Sequence, residues 1–236
     1  VYPIPSWNNN HYAYLTHAEK IEVETSRSNN FLPTAEELKP HLEGAVLLAL
    51  CSPLNPTGTM FTKDQLTEIC ELVLEENKKR DEDEKPLYLM YDQIYAMLTF
   101  DEEHFNPVSL FPEMKKYTVF IDGTSKSFAA TGVRVGWSFG PAEIIDKMKS
   151  LLGHIGAWAP KPEQQAVSVF LGETENVDFF VNDFKGKIAE SLKILHTGIQ
   201  EMKSRGLQVD SIKPMGALYL TIELDYLGKT KPDGSQ

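Results

Sequence analysis

The sequence predicts an α/β fold in which a mostly parallel β-sheet is layered with helices. Short apolar runs of the kind found in strands buried on both faces alternate with helical patterns between about residues 45 and 155. The first two runs are joined by a helical segment of the length that a right-handed βαβ unit requires, and such a unit makes its two strands parallel. These observations predict a layered sheet domain.

Four apolar runs are predicted to be the strands of this sheet. They lie at residues 45–50 (AVLLAL), 87–91 (LYLMY), 118–121 (TVFI) and 134–139 (RVGWSF). After the first strand, Thr62 and Gln65 have the spacing of a capping box, and a helix with one apolar face follows. After the fourth strand, Pro141 suits the first turn of another helix.

The pattern changes near residue 160. Helices are predicted at 162–171 and 176–205, and a strand at 216–223 (GALYLTIE). We therefore expect a large domain over residues 1–160, followed over residues 161–236 by a linking helix and part of a smaller α+β domain. The chain starts in mid-pattern, and residues 231–236 (KPDGSQ) have a turn composition, so the expectation is an incomplete piece of a longer protein.

Composition excludes several classes of function. The 236 residues carry 34 acidic and 23 basic side chains, a net charge of -11, which disfavours a nucleic-acid partner. No apolar run approaches the roughly 20 residues that span a membrane. Two cysteines are too few for a disulfide framework, and no spacing resembles a metal site. These features favour a cytoplasmic protein without a metal.

Polar side chains follow the predicted strands at the edge where α/β sheets bind ligands. They are Asn55, Asp92, Tyr95, Ser125 and Lys126, with Arg134 at the start of the fourth strand. A pyridoxal 5'-phosphate (PLP) site needs this set of groups. An amine condenses with the aldehyde, a carboxylate keeps the pyridine nitrogen protonated, a phenol and an amide bind the ring oxygen, and a guanidinium binds the phosphate.

Three motifs strengthen this interpretation. Residues 55–58 (NPTG), 91–95 (YDQIY) and 125–137 (SKSFAATGVRVGW) resemble, in this order, the signatures of class I/II aminotransferases of PLP fold type I. The resemblance implies the three-layer α/β/α architecture of that fold. It also implies that Lys126 forms the Schiff base, Asp92 binds the pyridine nitrogen, Asn55 and Tyr95 bind the ring oxygen, and Arg134 binds the phosphate.

The resemblance extends towards both ends of the sequence. Residues 5–7 (PSW) are similar to a segment whose tryptophan, here Trp7, stacks on the cofactor ring, and residues 214–219 resemble the entry to the small domain. Many family members have a phosphate-binding serine three residues before the lysine. That position is Gly123 here, so Thr124 or Ser125 is expected to substitute.

Two further parts of the family site are not found in the sequence, namely the glycine-rich helix start that binds phosphate and the arginine that binds the substrate carboxylate. They are expected before the first residue and after the last, so the chain alone is expected to be inactive.

Three functions remain open at this point. The first is an aminotransferase that moves an amino group between an amino acid and a 2-keto acid, which the resemblance implies to be a homodimer. The second is another PLP enzyme, such as a β-lyase or decarboxylase. The third is an aminotransferase-like sensing domain of a transcription regulator. A nicotinamide dehydrogenase is disfavoured, because no GxGxxG pattern follows a strand. The sequence does not predict which amino acid is the substrate.

Overall fold

A computed structural model of the chain describes residues 1–7, 9–225 and 227. The strands in this part of the chain are β1 (Tyr2–Ile4), β2 (Glu22–Glu24), β3 (Leu47–Cys51), β4 (Tyr88–Asp92), β5 (Thr118–Gly123), β6 (Gly136–Phe139), β7 (Val209–Ser211) and β8 (Ile222–Leu224). The α-helices are α1 (Asn9–Leu15), α2 (Ala35–Leu38), α3 (Lys63–Lys78), α4 (Pro107–Leu110), α5 (Thr124–Ser127), α6 (Ala142–Ile155), α7 (Lys161–Gly172) and α8 (Thr174–Ser204). The turn composition predicted for residues 231–236 lies outside the described residues.

The central sheet has the strand order β3-β4-β5-β6. Strands β3, β4 and β5 are parallel, whereas β6 is antiparallel to β5, so the predicted mostly parallel sheet is confirmed. Strand β1 lies alongside β3, since the Ala49 amide donates to the carbonyl of Val1 at 2.9 Å. The fourth strand begins at Gly136, two residues later than predicted, because Arg134 has a φ of +59° and cannot continue a strand.

Helix α3 covers one face of this sheet. Its capping box is present as predicted: the Gln65 amide donates to Thr62 Oγ1 at 3.3 Å, and the Thr62 amide donates to Gln65 Oε1 at 3.0 Å. The helix buries Leu66, Ile69, Cys70, Leu72 and Val73. This apolar face and the interior of β3 and β4 form the main core, which holds the strand ends in a fixed register.

The second part of the chain differs from the sequence prediction in one element. The two predicted helices are present as α7 and α8, but the strand predicted at 216–223 is wrong for most of its length. Only a short β8 forms, and it pairs antiparallel with β7. The preceding residues bond instead to the loops that follow β3 and β4. The Met215 and Gly216 amides both donate to the Gly58 carbonyl at 3.0 Å, and the Ala217 amide donates to the Leu98 carbonyl at 2.8 Å.

A charged contact also joins the two ends of the described chain. Arg27 pairs with Asp210 of β7 and with Glu223 of β8. The Asp210 carboxylate additionally accepts from Lys203 and Gln200, and these hydrogen bonds hold its pKa well below the ordinary value. In the part of the chain that the structure describes, no helix is both long and apolar enough to cross a bilayer.

Candidate active site

Asp92 is the last residue of β4 and lies between two other strand ends. Its register partners are Cys51 of β3 and Ile121 of β5. Its Oδ1 accepts a hydrogen bond from the Ile94 amide at 3.0 Å. Among the described residues no cation forms an ion pair with its carboxylate. Burial raises the pKa of Asp92, the Ile94 amide opposes this shift, and the neighbouring Asp122 adds to it. The carboxylate therefore lacks a positive partner.

Lys126 lies on α5, the short helix that begins directly after β5. Its side chain is half-buried, and its Nζ lies 5.9 Å from the centroid of the Tyr95 ring. Within the described ranges this amine has neither a hydrogen bond nor an ion pair. A lysine amine held over an aromatic ring and left without an anionic partner is available for reaction with an aldehyde.

Gly123 brings the start of β6 close to Lys126. Gly123 pairs with Gly136, and a Cβ on Gly123 would lie only 2.8 Å from the Gly136 Cα. Only glycine permits this approach of the two backbones. A side chain at this position would therefore collide with the backbone of β6.

Arg134 lies just before this paired glycine, at the same edge of the sheet as Lys126. Its guanidinium donates to the Thr131 carbonyl at 2.7 Å, and no carboxylate in the described part of the chain forms an ion pair with it. Arg134 and Trp137 border an open groove of about 920 Å³. The exposed guanidinium retains donors that can bind an anion.

The remaining predicted residues differ in how they are held. Tyr95 is buried and its hydroxyl bonds the hydroxyl of Tyr219. Asn55 is half-buried in the turn after β3. Trp7 is 56% exposed and forms no ring contact with another described aromatic residue. Among the predicted ligands, Tyr95 contacts Lys126 and interacts with Asp92. Arg134 is placed near them only by the Gly123–Gly136 pairing that follows it in the chain, and no contact among the described residues ties Trp7 to this group.

The two hydroxyls after Gly123 are not equivalent. Thr124 is buried, and its Oγ1 donates to the Val135 carbonyl at 3.0 Å, so its proton is committed to the backbone. Ser125 is half-buried, and its hydroxyl has no partner among the described residues. This difference favours Ser125 as the hydroxyl that faces an anion.

The donor set can be tested against PLP. The Asp92 carboxylate, which has no cationic partner among the described residues, suits a cationic ring nitrogen. The Lys126 amine suits an aldehyde, and the exposed Arg134 suits a phosphate. The raised pKa of Asp92 fits as well, since an adjacent positive charge would restore the anion. The residues present fit this cofactor.

The comparisons with known proteins agree with this geometry. The family model described as "Aminotransferase class I and II" matches residues 1–231. The chain belongs to this family. The chain is 29% identical over 224 residues to the aspartate aminotransferase of Bacillus sp. (strain YM-2), and 28% identical over 204 residues to the aspartate/prephenate aminotransferase of Thermus thermophilus. A solved tetra mutant of Thermus thermophilus aspartate aminotransferase superposes with a TM-score of 0.83 at 25% identity.

These matches cover only part of each relative. They include 93% and 86% of this chain but 53% and 49% of the Bacillus and Thermus sequences, and 97% of this chain but 59% of the solved structure. The chain therefore spans about half the length of the curated relatives that it matches. The likeness confirms fold type I.

Two contacts at the site were not predicted from the sequence. One joins the hydroxyls of Tyr95 and Tyr219, which are 124 residues apart. The other joins Gln93 Nε2 to Asp122 Oδ2 at 3.2 Å. The motif at residues 214–219 was recognised, but its spacing carries no signal for a contact with Tyr95.

Proposed function

We propose that the whole protein is a PLP-dependent aminotransferase that moves an amino group between an amino acid and a 2-keto acid. The observation that carries the proposal is the Gly123–Gly136 pair between β5 and β6. Because this pair fixes the register, the chain segments that bear Lys126 and Arg134 leave the same edge of the sheet at which Asp92 ends.

When bound, PLP supplies a pyridinium ring that accepts the electron pair left at the substrate α-carbon. In this proposal Lys126 provides the amine that links to the cofactor aldehyde, and after its displacement it moves the proton of the substrate α-carbon. Asp92 stabilises the protonated ring nitrogen. Asn55 and Tyr95 donate hydrogen bonds to the ring oxygen.

The phosphate and the ring face complete the set of proposed contacts. Arg134 binds the phosphate with its guanidinium, and its planar fork matches two phosphate oxygens. Of the two neighbouring hydroxyls, Ser125 has its proton available for the phosphate, whereas that of Thr124 is engaged. We propose Trp7 as the residue that covers one face of the ring.

The relatives reported above favour transamination. They are named aminotransferases, which supports this reaction over the lyase, decarboxylase and sensing-domain alternatives. Their names include aspartate and prephenate, so the substrates proposed here are an amino acid and a 2-keto acid, with the individual pair left open.

The decisive experiment labels the lysine. The whole protein is incubated with PLP, reduced with borohydride and digested, and the peptide that carries the reduced cofactor is identified by mass spectrometry. We expect the cofactor on Lys126, and we expect Lys126→Ala to lose the visible absorption of the bound cofactor. Lys147→Ala, on the surface of α6, serves as the matched control and should keep that absorption. Labelling of another lysine would contradict the proposal.

Further proposals rest on the resemblance to the family. We propose that residues 1–160 belong to the large domain and residues 161–236 to the linking helix and small domain. We also propose a cytoplasmic homodimer with its active sites near the subunit interface. Sedimentation of the whole protein tests the dimer, since an active monomer would disprove it.

A further inference from the structure

Tyr95 is in direct contact with a second tyrosine from the other part of the chain. The hydroxyls of Tyr95 and Tyr219 are hydrogen-bonded, and either can be the donor. Their rings pack edge to face, with centroids 5.6 Å apart and an interplanar angle of 74°. The titratable groups that face Tyr95, apart from Tyr219, are Lys126, Asp92 and Cys51. The contact therefore lies within the proposed site.

The backbone around Tyr219 is fixed on the sheet domain. Just before it, Gly216 and Ala217 bond to the carbonyls of Gly58 and Leu98. Just after it, the Thr221 hydroxyl donates to the Thr57 carbonyl at 3.1 Å. The approach is so close that a Cβ on Gly58 would lie 2.6 Å from the Tyr219 carbonyl oxygen. Because both sides of Tyr219 are held, its hydroxyl has a defined position relative to Tyr95.

The chemistry of the pair selects one direction for the hydrogen bond when the ring oxygen of PLP is present. A phenol has one proton to donate, but its oxygen can also accept. If Tyr95 donates its proton to the ring oxygen, Tyr219 can only donate to Tyr95. Burial, together with the bond to Tyr219, raises the pKa of Tyr95, so Tyr95 keeps the proton that it needs for this role.

We propose that Tyr219 is a positioning residue that orients the Tyr95 proton towards the ring oxygen of the cofactor. A hydrogen bond received by Tyr95 polarises its O–H group and makes it a stronger donor, because linked hydrogen bonds reinforce one another. The inference rests on the proposed function, since it requires Tyr95 to meet PLP. It adds a residue of the second part of the chain to the site.

The test replaces only the hydroxyl. In the whole protein with PLP bound, Tyr219→Phe keeps the ring packing and removes the donor. The pH at which the visible absorption of the cofactor changes should rise by roughly 0.5 to 1 pH unit, because a weaker bond from Tyr95 leaves the ring oxygen more basic. A purely structural role of Tyr219 would change the thermal midpoint without moving this pH midpoint.

A second readout does not require the cofactor. In cofactor-free protein labelled with 3-fluorotyrosine, the fluorine resonance of Tyr95, identified by its loss in Tyr95→Phe, should move in Tyr219→Phe. Tyr91→Phe is the matched control, because Tyr91 is also buried but donates to the Phe105 carbonyl at 2.9 Å in the main core. It should leave the Tyr95 resonance and the pH midpoint in place.

The outcomes separate the two proposals. If the unmodified protein binds PLP and Tyr219→Phe changes the pH midpoint by less than about 0.2 unit, the inference about Tyr219 is wrong and the proposed function stands. If the unmodified whole protein shows no visible band with PLP, the proposed function fails, and the inference fails with it.

Discussion

Replacing Asp92 by asparagine should make the cofactor-free protein more stable while it destroys activity. The carboxylate is partly buried and receives one backbone donor, from Ile94. An asparagine oxygen can keep that bond without a charge. A buried polar group that is incompletely bonded costs about 1–3 kcal/mol. Allowing for the amide protons that asparagine introduces, we expect the free energy of unfolding to rise by an amount near the lower end of this range, about 1 kcal/mol. This corresponds to a rise in Tm of roughly 2–4 °C.

The effect should depend on pH in a defined direction. Because burial raises the folded-state pKa of Asp92 above the ordinary value of 3.8, ionisation of this residue destabilises the folded state. This loss of folding stability is fully present above the folded-state pKa of Asp92, shrinks as the pH falls through that pKa, and vanishes below pH 3.8. The difference in Tm between Asp92→Asn and the unmodified protein should therefore close in acid. Differential scanning calorimetry from pH 8 to roughly pH 3.5 measures it.

Activity should change in the opposite direction. In the whole protein with PLP, removal of the carboxylate takes the anionic partner from the ring nitrogen. Turnover should then fall roughly a thousandfold or more, a loss of at least about 4 kcal/mol of transition-state stabilisation. Asp122→Asn is the control, since burial raises the pKa of Asp122 as well but its carboxylate already has two donors, the Gly123 amide at 2.7 Å and Gln93 at 3.2 Å. It should give a smaller gain in Tm than Asp92→Asn. A lower Tm for Asp92→Asn, or a loss of turnover below about tenfold, would refute the reasoning.

Three further substitutions test the fold. Gly123→Ser should lower the free energy of unfolding by roughly 1–3 kcal/mol, because its Cβ would crowd the backbone of Gly136. Gly132→Ser is the control, because a Cβ at this position would meet open space. If urea unfolding shows the same loss of unfolding free energy for both variants, the crowding argument is wrong. Leu66→Ala should lower the free energy of unfolding by about 2–5 kcal/mol, because it leaves a cavity in the main core. A decrease of less than about 1 kcal/mol would contradict this. Thr62→Ala should lower the free energy of unfolding by about 1 kcal/mol, because the helix cap is lost. An unchanged urea midpoint would contradict this.

The parts of the fold that were predicted correctly depend on local signals. The capping box at Thr62 and Gln65 and the apolar spacing after it specify α3 without reference to the rest of the chain. The apolar runs likewise identify β3, β4 and β5, and the strand ends differ from the prediction by at most two residues. Burial on both faces is less complete than predicted, since alternate residues of β4 are only half-buried. Such signals lie within short stretches of the sequence.

The failures depend on distant contacts. The residues from Gly216 to Thr221 have a mostly apolar composition that resembles a strand, but their amides and hydroxyls bond to loops more than 100 residues earlier. No local pattern records that pairing, and the left-handed φ of Ala217 is likewise imposed by the contact. The hydrogen bond between Tyr95 and Tyr219 was not predicted for the same reason.

The site was partly accessible from the sequence, because a sheet brings its strand ends together in any fold of this class. Residue order alone placed Asp92 and Lys126 at one edge. It did not distinguish Thr124 from Ser125, because the difference lies in the hydrogen bond of Thr124 to Val135, which exists only once β5 and β6 pair.

The antiparallel course of β6 has a consequence for insertions and deletions. The chain leaves the sheet at Gly123 and returns at Gly136, so one short excursion bears both Lys126 and Arg134. In the proposed complex these two residues hold neighbouring substituents of one ring, the aldehyde carbon and the phosphate arm, and the length of the excursion sets the distance between the two contacts. Adding or removing a single residue between Lys126 and Arg134 would leave the sheet intact and yet move one of the two side chains away from its contact with the cofactor. This loop should therefore tolerate changes of side chain far better than changes of length.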